Sequence, residues 1–164
     1  MAAIVACFGN VLRGDDGFGS AVAERLLGAE LPAGVRVLEV GIGGIHLVQE
    51  LLDGIEMLVV VDAVDLGRPA GTVIVQRPDV LDVATLSPDR RRDELADMHL
   101  ATPEKALMVA RALGVLPEST FVVGVQTTDT DRVGQGLSVA TSGAIEVAAA
   151  EVRRLLAEHP ATGR

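Results

Sequence analysis

The sequence predicts an α/β fold: a three-layer α/β/α sandwich around a twisted, mostly parallel sheet of about five strands. Short apolar runs rich in β-branched residues alternate with amphipathic helical patterns along the chain, which is typical of a sheet covered by helices on both faces. The chain is 49% hydrophobic but only 2% aromatic, so its core must consist of aliphatic side chains, as in buried parallel strands. No repeat or linker divides the 164 residues, and we therefore expect one domain over residues 1–164.

Five runs of mainly Val, Ile, Leu and Ala have the length and composition of strands. In order they are AIVACF at 3–8, VRVLEV at 35–40, MLVVV at 57–61, TVIVQ at 72–76 and FVVGV at 121–125. The third is bounded by Asp62, and the fourth follows it after the short turn LGRPAG. Because this connection is short, we expect one antiparallel or edge strand in the sheet.

Four segments between and after these runs have helical spacing. The first has apolar residues at i, i+4 and i+8, namely Phe18, Val22 and Leu26. The third begins at Thr102, a suitable N-cap, with Pro103 at its first position, and ends at Gly114. The other two are expected over residues 46–52 and from about 142 to 158. The charged segment 77–100 has no long apolar stripe, so we expect a loop with at most one helical turn.

The charge balance excludes several classes of partner. With 14 basic and 23 acidic residues the net charge is −9, which argues against nucleic acid and against an anionic membrane surface. The single cysteine, Cys7, cannot form an internal disulfide and lies within an apolar run, so we expect it in the core. No targeting segment or membrane-spanning run is found, and we expect a cytoplasmic protein without membrane insertion.

A glycine-rich turn, FGNVLRGDDGFG at 8–19, connects the first strand to the first helix. Such turns commonly bind phosphate, but the pattern matches neither the dinucleotide fingerprint nor the P-loop. Asp15 and Asp16 would moreover repel phosphate. Ligand-binding groups in these sheets gather at the carboxyl ends of the strands, where Asp62 also lies. Two carboxylates and an imidazole, from His46 or His99, would suit a divalent metal such as nickel, zinc or manganese.

Each of these residues also has an ordinary structural interpretation. Asp15 or Asp16 could cap the first helix, where a carboxylate meets free N–H groups and the positive end of the helix dipole. Asp62 could simply end its strand. His46 could be a packed or surface histidine, and His99 lies in the irregular segment before the third helix. The individual residues leave these alternatives open.

Together the motifs resemble those of the NiFe-hydrogenase maturation endopeptidases. GNVLRGDDGFG resembles the family signature G-N-x-L-x-x-D-[DE]-G-x-G, VVVDA resembles the strand that ends in D-A, and VGIGGIHLVQELL resembles the glycine motif between them. The resemblance implies a protease that removes the C-terminal extension of a hydrogenase large-subunit precursor. It also implies that nickel, the metal involved, is carried by that precursor, with zinc or cadmium as substitutes in vitro.

The resemblance also assigns roles to individual residues. It implies that Asp16, Asp62 and His99 contact the nickel and carry out catalysis. Asp15 is expected to cap the helix or support its neighbour. The substrate-binding set is expected to be Asn10, Gly14, Gly41, Gly43 and His46, the last as a second substrate contact or an alternative ligand. Two other functions remain as hypotheses: a non-catalytic nickel-sensing or carrier module, and a small nucleotide-binding α/β protein.

Overall fold

The computed structural model describes residues 2–96, 102–128, 130 and 132–159. Its sheet contains β1 (Ala3–Phe8), β2 (Val35–Gly41), β3 (Met57–Val64), β4 (Val73–Gln76) and β5 (Ser119–Gln126). The strands lie in the order β2-β1-β3-β5-β4. All neighbours are parallel except β4, which pairs antiparallel with β5 at one edge. The expected mostly parallel sheet with one antiparallel edge strand is thus confirmed.

Helices cover both faces of this sheet. They are α1 (Phe18–Leu27), α2 (Gly44–Leu51), α3 (Pro88–Ala96), α4 (Pro103–Ala112), α5 (Val139–Gly143) and α6 (Ile145–Glu158). Side chains of α1 and α6 pack in the core on one face, and side chains of α2 and α4 pack in the core on the other. The three-layer α/β/α architecture is confirmed.

The alternation of side chains along the strands divides the core into two layers. In β1, Val5 and Cys7 face α1 and α6, whereas Ile4 and Ala6 face α2 and α4, because successive strand residues point to opposite faces. Every residue of β1 is buried, so its apolar run is continuous rather than alternating. Burial raises the pKa of the Cys7 thiol to about 12, helped by the nearby Glu39 charge, in agreement with the core position expected for it.

The prediction for segment 77–100 is wrong over its helical part. Residues Pro88–Ala96 form α3, which buries none of its side chains. Arg91 holds this helix in place, donating hydrogen bonds to the carbonyls of Val83, Ala84 and Leu86 at 2.9, 3.0 and 3.3 Å. A helix anchored by an arginine rather than by an apolar stripe leaves no hydrophobic periodicity for sequence analysis to detect. The remaining signal was Pro88 at the first helical position.

Several element boundaries differ from the expected ones, and one of them affects function. β3 does not stop at Asp62 but continues through it to Val64, with Asp62 paired to Gly124 of β5. The expected C-terminal helix is divided into α5 and α6 at Ala144. Among the described residues, no helix has both the length and the apolar composition needed to cross a lipid bilayer.

Candidate active site

The glycine-rich turn after β1 folds back on itself and fixes Asp16. The backbone N–H of Asn10 donates to the backbone carbonyl of Asp16 and to its carboxylate Oδ2, both at 3.1 Å. Asn10 Oδ1 in turn accepts the N–H of Leu12 at 3.0 Å. Gly9 permits this fold because it has φ 132° and a Cβ there would lie 1.9 Å from the Asp16 carbonyl oxygen. The turn therefore holds the Asp16 carboxylate at the carboxyl end of β1.

Asp15 has a different, structural role. It is 1% exposed, and its carboxylate accepts the backbone N–H of Ser138 at 2.6 Å and the Ser138 hydroxyl at 2.9 Å. Ser138 is the N-cap of α5, so Asp15 connects the signature turn to a segment more than a hundred residues away. Neither Asp15 nor Asp16 caps α1, whose N-cap is Gly17 without a side-chain hydrogen bond. The capping interpretation is thus wrong for both aspartates.

Asp62 lies inside β3 and points toward the α2 and α4 layer. Leu58 and Val60 face that layer, and Asp62 continues their alternation along the strand. The pKa of Asp62 is raised from 3.8 to about 7, mainly by burial; the Asp16 and Glu104 charges add to the increase, whereas a hydrogen bond with the Ala63 backbone opposes it. A buried carboxyl with a pKa near neutrality is a frequent property of catalytic groups.

Asp16 and Asp62 share one cleft at the carboxyl edge of the sheet, which we call the aspartate cleft. It has a volume of about 450 Å³, and its polar lining includes Asn10, Arg13, Asp16, Asp62, Thr102 and Glu104. The walls come from the ends of β1, β2 and β3 and from the first turn of α4. Two carboxylates that are 46 residues apart in the sequence therefore face the same space.

The other predicted residues lie in several places. Gly41, which has φ 62°, also lines the aspartate cleft. Gly43 is the N-cap of α2. Gly14, whose N–H donates to the Gly134 carbonyl at 3.1 Å, lines a different cleft. His46 is on an exposed face of α2, with Nε2 3.8 Å from a carboxylate oxygen of Glu50, and does not line the cleft. His99 lies outside the described residues.

Two charged residues of the cleft were not predicted. Arg13 comes from the signature turn, and Glu104 comes from the first turn of α4. Glu104 could have been found, because a helix that leads into a parallel strand begins at the carboxyl edge of the sheet. Thr102 caps this helix as expected, accepting the N–H of Lys105 at 3.4 Å.

A second cleft adjoins the first, and Asp16 lines both. This threonine cleft has a volume of about 460 Å³ and is defined by Asp16, Ala63, Val64, Asp65, Thr127, Thr128 and Thr130. It lies where β3 and β5 end. Within the described part of the chain, no three His, Cys, Asp or Glu side chains are grouped closely enough to hold a metal ion. Asp16 and Asp62 supply two oxygen donors, of the kind that divalent transition metals accept.

Comparison with known proteins gives a consistent result. The sequence model of the hydrogenase maturation protease family (HycI) matches residues 20–155. The hydrogenase expression/formation protein HupD from Rhodobacter capsulatus is 33% identical over 154 residues, which cover 93% of this chain and 70% of that protein. The fold is similar to that of the hydrogenase maturating endopeptidase HybD from E. coli, with a TM-score of 0.75, 25% identity and coverage of 96% and 93% of the two chains. It is also similar to a hydrogenase 2 maturation peptidase from a Thaumarchaeota archaeon, with a TM-score of 0.68, 31% identity and coverage of 95% and 98%.

Proposed function

The chain belongs to the hydrogenase maturation protease family, and from this premise we propose that it removes the C-terminal extension of a nickel-loaded NiFe-hydrogenase large-subunit precursor. Membership of this family identifies the chain as a peptide hydrolase that acts in hydrogenase maturation. The identity of the substrate and the requirement for nickel are our proposal. The observation that supports it best is the convergence of Asp16 and Asp62 on one cleft.

In this proposal the nickel is part of the substrate and arrives with the precursor. The carboxylates of Asp16 and Asp62 contact the ion from the protease side, with His99 as the proposed third contact. A divalent ion held next to the scissile bond can polarise its carbonyl or increase the acidity of a bound water. A precursor without nickel would lack this activation, so cleavage would follow metal insertion.

Peptide hydrolysis also requires proton transfer, and Asp62 is well placed to contribute. Water adds to the carbonyl carbon, the C–N bond breaks, and the departing amine takes up a proton. General acid and base catalysis is most effective when the pKa of the group is close to the ambient pH, and the pKa of Asp62 is about 7. Contact with the nickel ion favours the charged form of a carboxyl, so Asp62 is expected to lose its proton when the precursor binds. One oxygen of Asp62 would then contact the ion, and the other is our candidate to accept the proton of the attacking water and pass it to the departing amine; Asp16 is the fixed carboxylate beside it.

The proposal can be tested by processing of a purified precursor. We expect the wild-type protein to shorten the nickel-loaded precursor and to leave the nickel-free precursor intact. Asp16→Asn and Asp62→Asn should each reduce the rate by at least about 100-fold, as removal of a catalytic carboxylate typically does. Asp53→Asn is the matched control, because this exposed aspartate precedes β3 at the opposite edge of the sheet.

Three results would contradict the proposal. Equal cleavage of nickel-free and nickel-loaded precursor would remove the role of the metal. Full activity of both aspartate variants would place the chemistry elsewhere. Tight binding of the nickel-loaded precursor without cleavage would favour a nickel-sensing or carrier module.

A further inference from the structure

The threonine cleft continues the aspartate cleft on the other side of Asp16. The aspartate cleft lies against the ends of β1 and β2 and the start of α4, and the threonine cleft lies against the ends of β3 and β5. Their volumes are similar, about 450 and 460 Å³. An extended peptide rises about 3.3 Å per residue, so a chain bound across Asp16 would place neighbouring residues in both clefts.

Gln126, the last residue of β5, holds together the two segments that form the threonine cleft. This side chain is 2% exposed. Its Oε1 accepts the N–H groups of Leu66 and Arg68 at 2.7 and 3.2 Å. Its Nε2 donates to Asp65 Oδ1 at 3.0 Å and to the Thr127 carbonyl at 2.9 Å. All of its hydrogen-bonding capacity is used, so Gln126 fixes the turn after β3 and orients Asp65.

Two polar groups in this cleft remain available to a ligand. Thr127 is 5% exposed and lines the cleft, and its hydroxyl has no hydrogen-bond partner among the residues that the structure describes. Asp65 uses Oδ1 for Gln126 and, at 3.4 Å, for the N–H of Gly67, whereas Oδ2 has no partner within the described ranges. Among the described residues no buried side-chain oxygen lacks a partner, so the Thr127 hydroxyl is open to the cleft, where water or a ligand can complete its bonding.

The charge in the threonine cleft is negative. Among the described residues that line it, Asp16 and Asp65 are the ionisable ones and none is basic. A cation that enters would gain charge-assisted hydrogen bonds to Asp65 Oδ2, and the threonine hydroxyls would serve the adjoining peptide groups. An acidic side chain would be repelled by both carboxylates.

From these observations we propose that the threonine cleft is the subsite for the peptide segment next to the scissile bond and that Asp65 determines specificity there by pairing with a basic side chain. This inference rests on the proposed function, because it assigns one flank of the cleaved peptide to a place beside Asp16. Asp65 acts in binding, and Gln126 acts as a positioning residue for it.

The first experiment is a double-mutant cycle in the processing assay. Asp65→Asn should raise KM for the nickel-loaded precursor by about 10- to 100-fold, the range for a lost charge-assisted hydrogen bond, with little change in kcat. The proposal expects a basic residue next to the scissile bond of the precursor; when that residue is replaced by glutamine, Asp65→Asn should have no further effect. Asp65→Lys should recover part of the processing when that residue is replaced by glutamate. Asp53→Asn again serves as the control.

A second experiment does not depend on turnover. A synthetic peptide that spans the cleavage region is titrated into the ¹⁵N-labelled protein and followed by NMR. The peptide is used in two forms, with its basic residue intact or replaced by glutamine. The intact form should shift the amide signals of Thr127 and Thr128, and the glutamine form and the Asp65→Asn variant should weaken these shifts by a similar factor.

The outcomes separate the two proposals. The subsite is overturned, and the proposed function stands, if Asp65→Asn processes the precursor with an unchanged KM. The same conclusion follows if Asp65→Asn raises KM for the glutamine-substituted precursor as much as for the unmodified one. Peptide-dependent shifts that require Asp65, without cleavage of any precursor, overturn the proposed function while the subsite stands. Peptide shifts confined to the aspartate cleft overturn the subsite.

Discussion

Replacing Asp62 by Asn should stabilise the protein increasingly as the pH rises. Burial, reinforced by the Asp16 and Glu104 charges, raises the pKa of Asp62 from 3.8 to about 7 in the folded protein. In the unfolded chain the pKa returns to its ordinary value. Between these two pKa values the folded state binds more protons than the unfolded state, so the free energy of unfolding decreases as the pH rises. Asparagine keeps the shape of the side chain and cannot ionise, so this loss disappears in the variant.

The magnitude follows from the two pKa values. Their difference, from 3.8 to about 7, corresponds to about 4 kcal/mol once Asp62 is fully ionised, at about 1.4 kcal/mol per pH unit. Part of the effect is already present at about pH 5, so between about pH 5 and pH 8 we expect the stability difference between variant and wild type to grow by about 2–3 kcal/mol. Such a gain would come with loss of activity, as is common for strained active sites.

Urea unfolding of both proteins at several pH values measures this difference directly. Groups that titrate equally in the two proteins cancel, which leaves the contribution of Asp62 and of its coupling to Asp16. The Asp53→Asn variant should follow the wild-type curve in parallel, because Asp53 is exposed. A stability difference between Asp62→Asn and wild type that stays constant from about pH 5 to pH 8, or that shrinks, would refute the idea that burial of Asp62 opposes its ionisation.

Two further predictions concern the frame that holds the site. In thermal melts Gly19→Ala should destabilise the protein by about 3 kcal/mol or more, since a Cβ there would lie 1.9 Å from the Phe8 carbonyl oxygen. Gly28→Ala, at the other end of α1, should be neutral or slightly stabilising, because a Cβ there would make only ordinary contacts at 3.8 Å. Asp15→Asn should lower the free energy of unfolding by about 1–3 kcal/mol, because one of the two Ser138 donors loses its acceptor. Hydrogen exchange should then be faster in α5 than in the rest of the fold, and unchanged exchange in α5 would contradict this role.

The arrangement of the sheet could be predicted from the sequence because its determinants are local. Continuous apolar runs indicate buried strands, and the short link before β4 indicates the antiparallel edge. The same reasoning brought Asp16 and Asp62 to one edge of the sheet. It could not predict the pKa of Asp62, because that value depends on how deeply the carboxyl is buried and on Glu104, a residue distant in the sequence.

The features that sequence analysis missed depend on polar contacts between distant segments. α3 is held by Arg91 bonding to backbone carbonyls, and the threonine cleft is held by Gln126 bonding to the turn after β3. Neither interaction leaves a periodic pattern, since one long polar side chain provides all of the contacts. His46 lies near the glycine motif in sequence, but its side chain is exposed beside Glu50 and does not line the aspartate cleft; its role as a substrate contact stays a prediction.

The paired aspartates of the signature turn show how one short motif can serve both fold and chemistry. In the 3₁₀ turn formed by residues 14–17, adjacent side chains point in different directions, so Asp15 and Asp16 cannot share one environment. Asp15 points into the protein and is satisfied by Ser138, whereas Asp16 is held by the Asn10 N–H at the junction of two open clefts. The inward carboxylate fixes the turn so that the outward one is already in position when substrate arrives. The two substitutions should therefore have different effects. Asp15→Asn should mainly lower the stability of the protein, whereas Asp16→Asn should lower the rate of processing with little change in stability.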